Sequence, residues 1–212
     1  MVTRDLQHDA EGTNRSARRR PGRPAGGNVV VGREQLLAAA ERAIRSEGPD
    51  ATMAEIAAEA TVTKPILYRT IGDREALTLA LSEQLIDRIN AAVEAERGAG
   101  VDPRTEFESA VKAYLRTVVG ERNLFLFVFG GQDAEVVHQL VDRSAAQMVE
   151  LFTAARVAAG RSPIAAHTWA HAIVGAFQMV TLMWLRDEYC DIDTVADDLT
   201  QLLWPGVATA AD

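Results

Sequence analysis

The sequence predicts an all-α chain, built as a small trihelical head near the N-terminus followed by a longer helical body. Three observations carry that reading. Apolar residues recur at three- and four-residue spacing from residue 33 onward, the repeat of one helix face. Helix-start residues stand at Thr52, Thr63, Asp73 and Asp102, immediately ahead of such stripes. Helix stops of the Gly-Pro type follow at Gly48-Pro49 and Pro205-Gly206.

The elements follow in order. Residues 1–32 form a basic arm rather than a core element. Arg15, Arg18, Arg19, Arg20 and Arg23 fall within nine residues that contain no acid, punctuated by Pro21, Gly22, Pro24, Gly26 and Gly27. Such a stretch is expected to stay disordered. From Arg33, the residues Leu36, Leu37, Ala40, Ala43 and Ile44 make one stripe that Gly48-Pro49 ends. Thr52-Met-Ala-Glu55 is a capping box, in which the Thr hydroxyl accepts an amide proton and Glu55 reaches back. Met53, Ile56, Ala57 and Ala60 give this short helix its buried face. Thr63 is a second N-cap, with Pro65 in the first turn, where a missing N–H costs nothing. Only Thr61 and Val62 link these two helices, the pattern of a helix-turn-helix. Gly72-Asp73 then caps a longer helix.

Beyond Leu77 every readable segment is helical. Leu81, Leu85, Ile89 and Val93 form a stripe ending near Gly98 and Gly100. Asp102-Pro103 opens the next helix, carrying Phe107, Val111, Tyr114, Leu115 and Val118. Residues 124–129 are apolar on all sides and are read as helix from their helical neighbours. Asp133 caps a long helix through Val137, Leu140, Met148 and Leu151. Ser162-Pro163 starts another to Arg186, and Asp193 begins a last one ending at Trp204-Pro205-Gly206. The 163–186 helix is apolar on most sides, which calls for cover on most sides. Paired with Val195, Leu199, Leu202 and Leu203 of the last helix, its outer side could meet a second copy of the chain. Its length approaches that of a membrane span, but His167, Thr168, His171 and Gln178 would be costly in lipid, so no membrane is expected.

Composition bounds the function. The 212 residues are 48% apolar and 25% charged with a net charge of -8, an ordinary globular balance that excludes a fibrous or wholly disordered chain. The charge is uneven. Residues 1–77 hold 12 basic and 11 acidic groups, and residues 78–212 hold 10 and 19. One cysteine, Cys190, leaves no internal disulfide and suits a reducing compartment. No signal-peptide pattern opens the sequence, and a cytoplasmic location is expected.

The exposed short helix bearing Thr63, Lys64, Tyr68 and Arg69 has the size and polarity to enter a DNA major groove. Arg20-Pro-Gly-Arg-Pro24 resembles the core of AT-hook peptides, whose arginines fit the narrow minor groove of A·T tracts. The head as a whole resembles the TetR family of bacterial transcriptional regulators. The likeness lies in Leu36-Leu37, Ala39-Ala40, Gly48, Thr52, Ile56-Ala57, Ala60, Val62-Thr63-Lys64, Leu67-Tyr68 and Gly72-Asp73-Arg74-Glu75-Ala76-Leu77. Thr61 stands where the family usually has a turn Gly, Ile71 where it has Phe, and Thr70 where His or Tyr is common.

The resemblance implies a head over 33–77 and an effector-binding and dimerisation domain over 78–212. It implies phosphate contacts from Thr52, Thr63, Lys64, Tyr68 and Arg74. Pro65, Ile66, Arg69 and Thr70 are left for base edges, and Arg18, Arg19, Arg20 and Arg23 for the minor groove. It further implies a homodimer on a palindromic operator of double-stranded DNA, released by a small-molecule effector. Tyr114, Phe125, Phe127, Phe129, Phe152, Trp169, Phe177 and Met179 are candidate pocket walls. Arg122, Asn123, Gln147, His171 and Gln178 are candidate polar anchors. No cofactor is implied.

An enzyme is a poor alternative. His167 and His171 have metal-ligand spacing, and His138 or an Asp could join them, but no HExxH glutamate or paired cysteine accompanies them. Walker-type loops, GxSxG and GxGxxG are missing from the sequence. A second alternative is an architectural protein that binds A·T-rich DNA without ligand control.

Overall fold

The computed structural model describes residues 31–96, 101–131 and 134–211. The basic arm through Val30, the Gly98–Gly100 stop and the Asp133 cap therefore lie outside the described residues. Among these, nine helices and no strands occur: α1 Arg33–Glu47, α2 Met53–Glu59, α3 Lys64–Thr70, α4 Arg74–Ala95, α5 Pro103–Gly120, α6 Arg122–Phe129, α7 Ala134–Ala158, α8 Ile164–Asp187 and α9 Ile192–Ala211. The all-α architecture and the trihelical head are as the sequence predicts.

Local chemistry sets the head's boundaries. At the start of α2, the Thr52 hydroxyl accepts from the Glu55 amide while the Thr52 amide donates to Glu55 Oε2 at 2.7 Å. That reciprocal bonding holds the Glu55 carboxyl below its ordinary range, through the Thr52 backbone first and its hydroxyl second. Asp73 caps α4 by accepting from the Ala76 amide at 2.9 Å. Gly72 has φ +107, and a Cβ there would stand 2.7 Å from that of Ala76, so the α3–α4 corner needs glycine. Thr63 is the N-cap residue of α3, but its side chain makes no capping bond.

The α2–α3 turn is tight because Thr61 adopts φ +54. The Thr61 amide donates to Ala58 O at 3.0 Å and the Val62 amide to Ala57 O at 2.9 Å. Those paired bonds are a Schellman ending with threonine in the left-handed position that glycine usually takes.

One continuous hydrophobic core joins the head to the body. It runs from Leu36, Ile44, Ile56 and Leu67 through Leu77, Leu81 and Leu85 into Leu115, Phe125, Phe127 and Leu140. Helix α4 is unbroken across the 77/78 boundary and carries much of that continuity. Ion pairs reinforce the junction. Arg88 on α4 pairs with Glu41 of α1 and, at 2.9 Å, with Glu121 ahead of α6, and Arg45 of α1 reaches Glu121 at 3.1 Å. In the body, α5 lies between α4 and α9, while α7 packs along α8 through Ala145, Ala170 and Val174.

Helix α9 departs from expectation. It runs through Pro205 to Ala211 instead of ending at Trp204. An interior proline loses its own N–H bond and sets its ring against the carbonyl four residues back, so a helix that continues past it needs other contacts. The turn beyond it stays anchored: Trp204 packs on Phe107 with ring centroids 5.8 Å apart, and Val207 and Ala208 face the body's pocket. Helix α8 is long and apolar enough to cross a membrane by length and composition. Its inner side, at Ala166, Ala170, Ile173, Val174, Thr181 and Leu185, is nevertheless buried within the protein.

Candidate functional site: a nucleic-acid interface and an apolar pocket

Helix α3 is nearly all surface. Leu67 alone is fully buried and fixes the helix to the head, with Ile71 closing its C-terminal end. The other side presents Lys64, Pro65, Tyr68 and Arg69 to solvent, with Ile66 and Thr70 half-buried at its edges. Tyr68 is 47% exposed, which excludes a core role for it. The uncapped Thr63 hydroxyl and the amide of Lys64 lie at the positive end of this helix, where backbone N–H groups favour an anion such as phosphate.

Two of the predicted phosphate ligands are already engaged. The Thr52 hydroxyl, besides accepting from the Glu55 amide, donates to Glu55 Oε2 at 2.8 Å. The Arg74 guanidinium donates to Ala51 O at 2.8 Å and lies over the Phe127 ring, 4.3 Å from its centroid. Both side chains belong to exposed residues, yet each holds part of the head together. Sequence spacing did not reveal these partners.

The body forms an open-mouthed pocket of about 530 Å³ between α4, α5, α6, α7, α8 and α9. Of the sequence candidates, Tyr114, Phe125, Phe129, Phe152, Phe177 and Gln178 line it. Burial pushes the pKa of the Tyr114 phenol well above its ordinary value, so this hydroxyl stays neutral, 3.2 Å from Thr181 Oγ1. Gln178 Nε2 donates to Ser144 Oγ at 3.3 Å.

The remaining candidates stand elsewhere. Trp169 packs against Phe152 and lies beneath Arg156, whose guanidinium is 4.6 Å from the ring centroid. Phe127 turns to Arg74 because it sits half a turn from Phe125 and Phe129 on α6. Met179 is 60% exposed, and Gln147 is also at the surface. Arg122 pairs with Glu188, and Asn123 donates to Arg45 O at 3.2 Å. Wall residues without a sequence signal include Ile86 and Asn90 of α4, Glu106 and Phe107 of α5, Met148 of α7 and Trp204 of α9.

His171 has a different role. Its Nδ1 lies 2.7 Å from His167 O, and its Nε2 lies 2.8 Å from Asp142 Oδ1 on α7. Both ring nitrogens face acceptors, so both hydrogen bonds exist together only in the protonated ring. The Asp142 carboxylate first, then the His167 carbonyl, raises its pKa. Among the described residues, no group of three or more His, Cys, Asp or Glu is placed to hold a metal ion.

Residues 36–81, which span the head, match the family model described as bacterial regulatory proteins, tetR family. Over 183 residues the chain is 31% identical to an uncharacterised HTH-type transcriptional regulator of Mycobacterium tuberculosis, covering 82% of this chain and 76% of that one. It is 26% identical over 207 residues to the HTH-type transcriptional activator FasR of Mycolicibacterium smegmatis, covering 92% and 94%. The crystal structure of a TetR-like transcriptional regulator from Rhodococcus sp. RHA1 superposes with a TM-score of 0.57 at 26% identity, covering 83% of this chain and 96% of that one. Head geometry, family model and relatives agree: the chain belongs to the TetR family of bacterial transcriptional regulators, with a DNA-binding helix-turn-helix.

Proposed function

We propose that the chain is a cytoplasmic, ligand-responsive repressor that binds a palindromic operator as a homodimer and leaves it when a small, largely apolar effector enters the body. The proposal divides the chain into the arm 1–32, the head 33–77 and the effector and dimerisation domain 78–212. The observation that carries it is the coexistence of a solvent-facing α3 with an apolar pocket, joined by one core. Lys64, Thr63 and Tyr68 would hold phosphates, and Arg69, Pro65, Ile66 and Thr70 would meet base edges. An effector that favours one spacing of the two α3 helices shifts the population away from the DNA-competent state.

Selection of random duplexes by the purified protein, followed by footprinting, tests the reading. One inverted repeat, with half-sites about 34–36 Å apart, is the expected result. Broad A·T coverage would instead support the architectural alternative. Arg69→Ala should relax preference at a single base position, costing about 1–3 kcal/mol there. Lys64→Ala should weaken every duplex alike and flatten the slope of log affinity against log salt by about 0.9. The sign of regulation is read from a reporter placed behind the selected site. Repression predicts that the protein lowers expression and that the effector restores it.

A further inference from the structure

The Arg74 side chain stands where three parts of the fold meet. It leaves the first turn of α4, and its Nη1 donates to Ala51 O at 2.8 Å while Nη2 reaches Pro49 O at 3.5 Å. Its guanidinium carbon lies 4.3 Å from the centroid of the Phe127 ring on α6. Ala51 is buried and immediately precedes Thr52, the N-cap of α2. Beyond α2 only the tight turn at Thr61 and Val62 leads to α3. Phe127 is 1% exposed, so its ring cannot swing away without opening the core. The start of α6 is tied to the head as well, by Asn123 on Arg45 O at 3.2 Å and by Glu121 on Arg45 at 3.1 Å.

The resemblance assigns Arg74 to a phosphate. We infer instead that Arg74 is a positioning residue for the recognition helix, held by Phe127 of the body, and that it acts on DNA only through the placement of α2 and α3. A guanidinium is planar and carries several donors, so it can hold backbone carbonyls and lie over an aromatic ring at once. That double engagement fixes the start of α2 against α6. Because α2 and α3 share one short turn, a shift of α2 carries α3 with it and misplaces Lys64, Tyr68 and Arg69 together. Turning the guanidinium toward a phosphate would abandon both the Ala51 carbonyl and the ring. DNA affinity therefore depends on a buried aromatic residue of the body that never touches the duplex.

Anisotropy titrations of the full-length protein test this, using a labelled duplex that carries the sequence recovered by selection, across a range of salt concentrations. The parent is compared with Arg74→Gln, Arg74→Lys, Phe127→Leu and the double variant Arg74→Gln/Phe127→Leu. Melting curves confirm folding, and stoichiometric titration fixes the active fraction, so that affinity is read for folded protein alone. Arg74→Gln is expected to weaken binding about three- to tenfold with the slope of log affinity against log salt unchanged. Arg74→Lys keeps the charge but not the planar fork, and should lose about as much. Phe127→Leu keeps apolar bulk without a ring face and should weaken binding by a similar factor, and the double variant should be no weaker than Arg74→Gln. If Phe127→Leu does not fold, Phe127→Met takes its place in both comparisons. A slope flattened by about 0.9 in Arg74→Gln, or full affinity in Arg74→Lys, makes Arg74 a phosphate ligand and overturns the inference. Full affinity in the Phe127 variant, or losses that multiply in the double variant, separates Phe127 from the head and overturns it too.

Discussion

Thr61 holds a conformation that suits a different residue. A left-handed backbone brings the Cβ of an L-residue close to the following carbonyl, at a cost of roughly 1–2 kcal/mol, and β-branching adds to the crowding. At φ +54 the α2–α3 turn therefore keeps its geometry against local preference, held by the Schellman bonds and by Val62 packing on the core. Glycine relieves that strain but gives up unfolded-state order worth about 0.5–1 kcal/mol. Thr61→Gly is accordingly expected to stabilise the protein by about 0.5–1 kcal/mol in urea denaturation. Loss of stability would show that the strain argument is wrong. The two N-cap threonines should separate by the same reasoning. The Thr52 hydroxyl serves the capping box, so Thr52→Ala should lower stability by about 1 kcal/mol. The Thr63 hydroxyl makes no capping bond, so Thr63→Ala should spare stability and weaken duplex binding instead. Melting curves and operator titrations on both variants distinguish the two roles.

Between elements, the α7–α8 contact carries a charge-dependent clasp. His171 bridges its own helix, at His167 O, and Asp142 across the gap. The groups facing the ring are Asp142 from α7, whose Oδ2 lies 3.4 Å from His138 Nε2, and the His167 ring from α8. Since the folded pKa of His171 is raised, its contribution is complete below the unfolded value near 6.5 and fades as pH rises through the higher folded value. The melting temperature of the parent protein should exceed that of His171→Asn most at pH 5.5–6, with the gap narrowing toward pH 8.5. A gap that widens with pH would contradict the sign. Helix α6 shows why such partnerships escape the sequence. Its run Leu124–Phe129 is apolar on every side, so periodicity could place it in the core but could not choose which ring faces which neighbour. The fold sends Phe125 and Phe129 to the pocket and Phe127 to Arg74. The head was legible because its signals are local: a capping box, a proline in a first turn, a glycine at a corner. The pocket was half legible because its wall is assembled from six helices far apart in sequence. Asn90 and Trp204 meet there although they lie more than a hundred residues apart.

At the scale of the molecule, apolar surface remains on the side of α8 and α9 turned away from the core. Met179 is 60% exposed, Met183 46% and Leu202 72%. Met179 and Met183 stand one turn apart on α8, and Leu202 lies on α9. Exposed apolar residues on the two helices whose outer sides the sequence turns toward a second copy support the proposed two-fold contact, in which each surface meets its own copy. Two α3 helices held by one contact bind a palindrome with the advantage of a linked pair, and the second half-site adds about a hundredfold or more to affinity. Met179→Glu combined with Leu202→Glu places like charges across that contact while leaving the core and α3 untouched. The double variant should sediment as a monomer with an unchanged helical spectrum. Its affinity for the full palindrome should drop by about a hundredfold or more, toward the value for an isolated half-site, while half-site binding stays as in the parent. A variant that remains dimeric moves the interface elsewhere on the body, and a monomer that keeps full palindrome affinity removes dimerisation from the account of DNA binding.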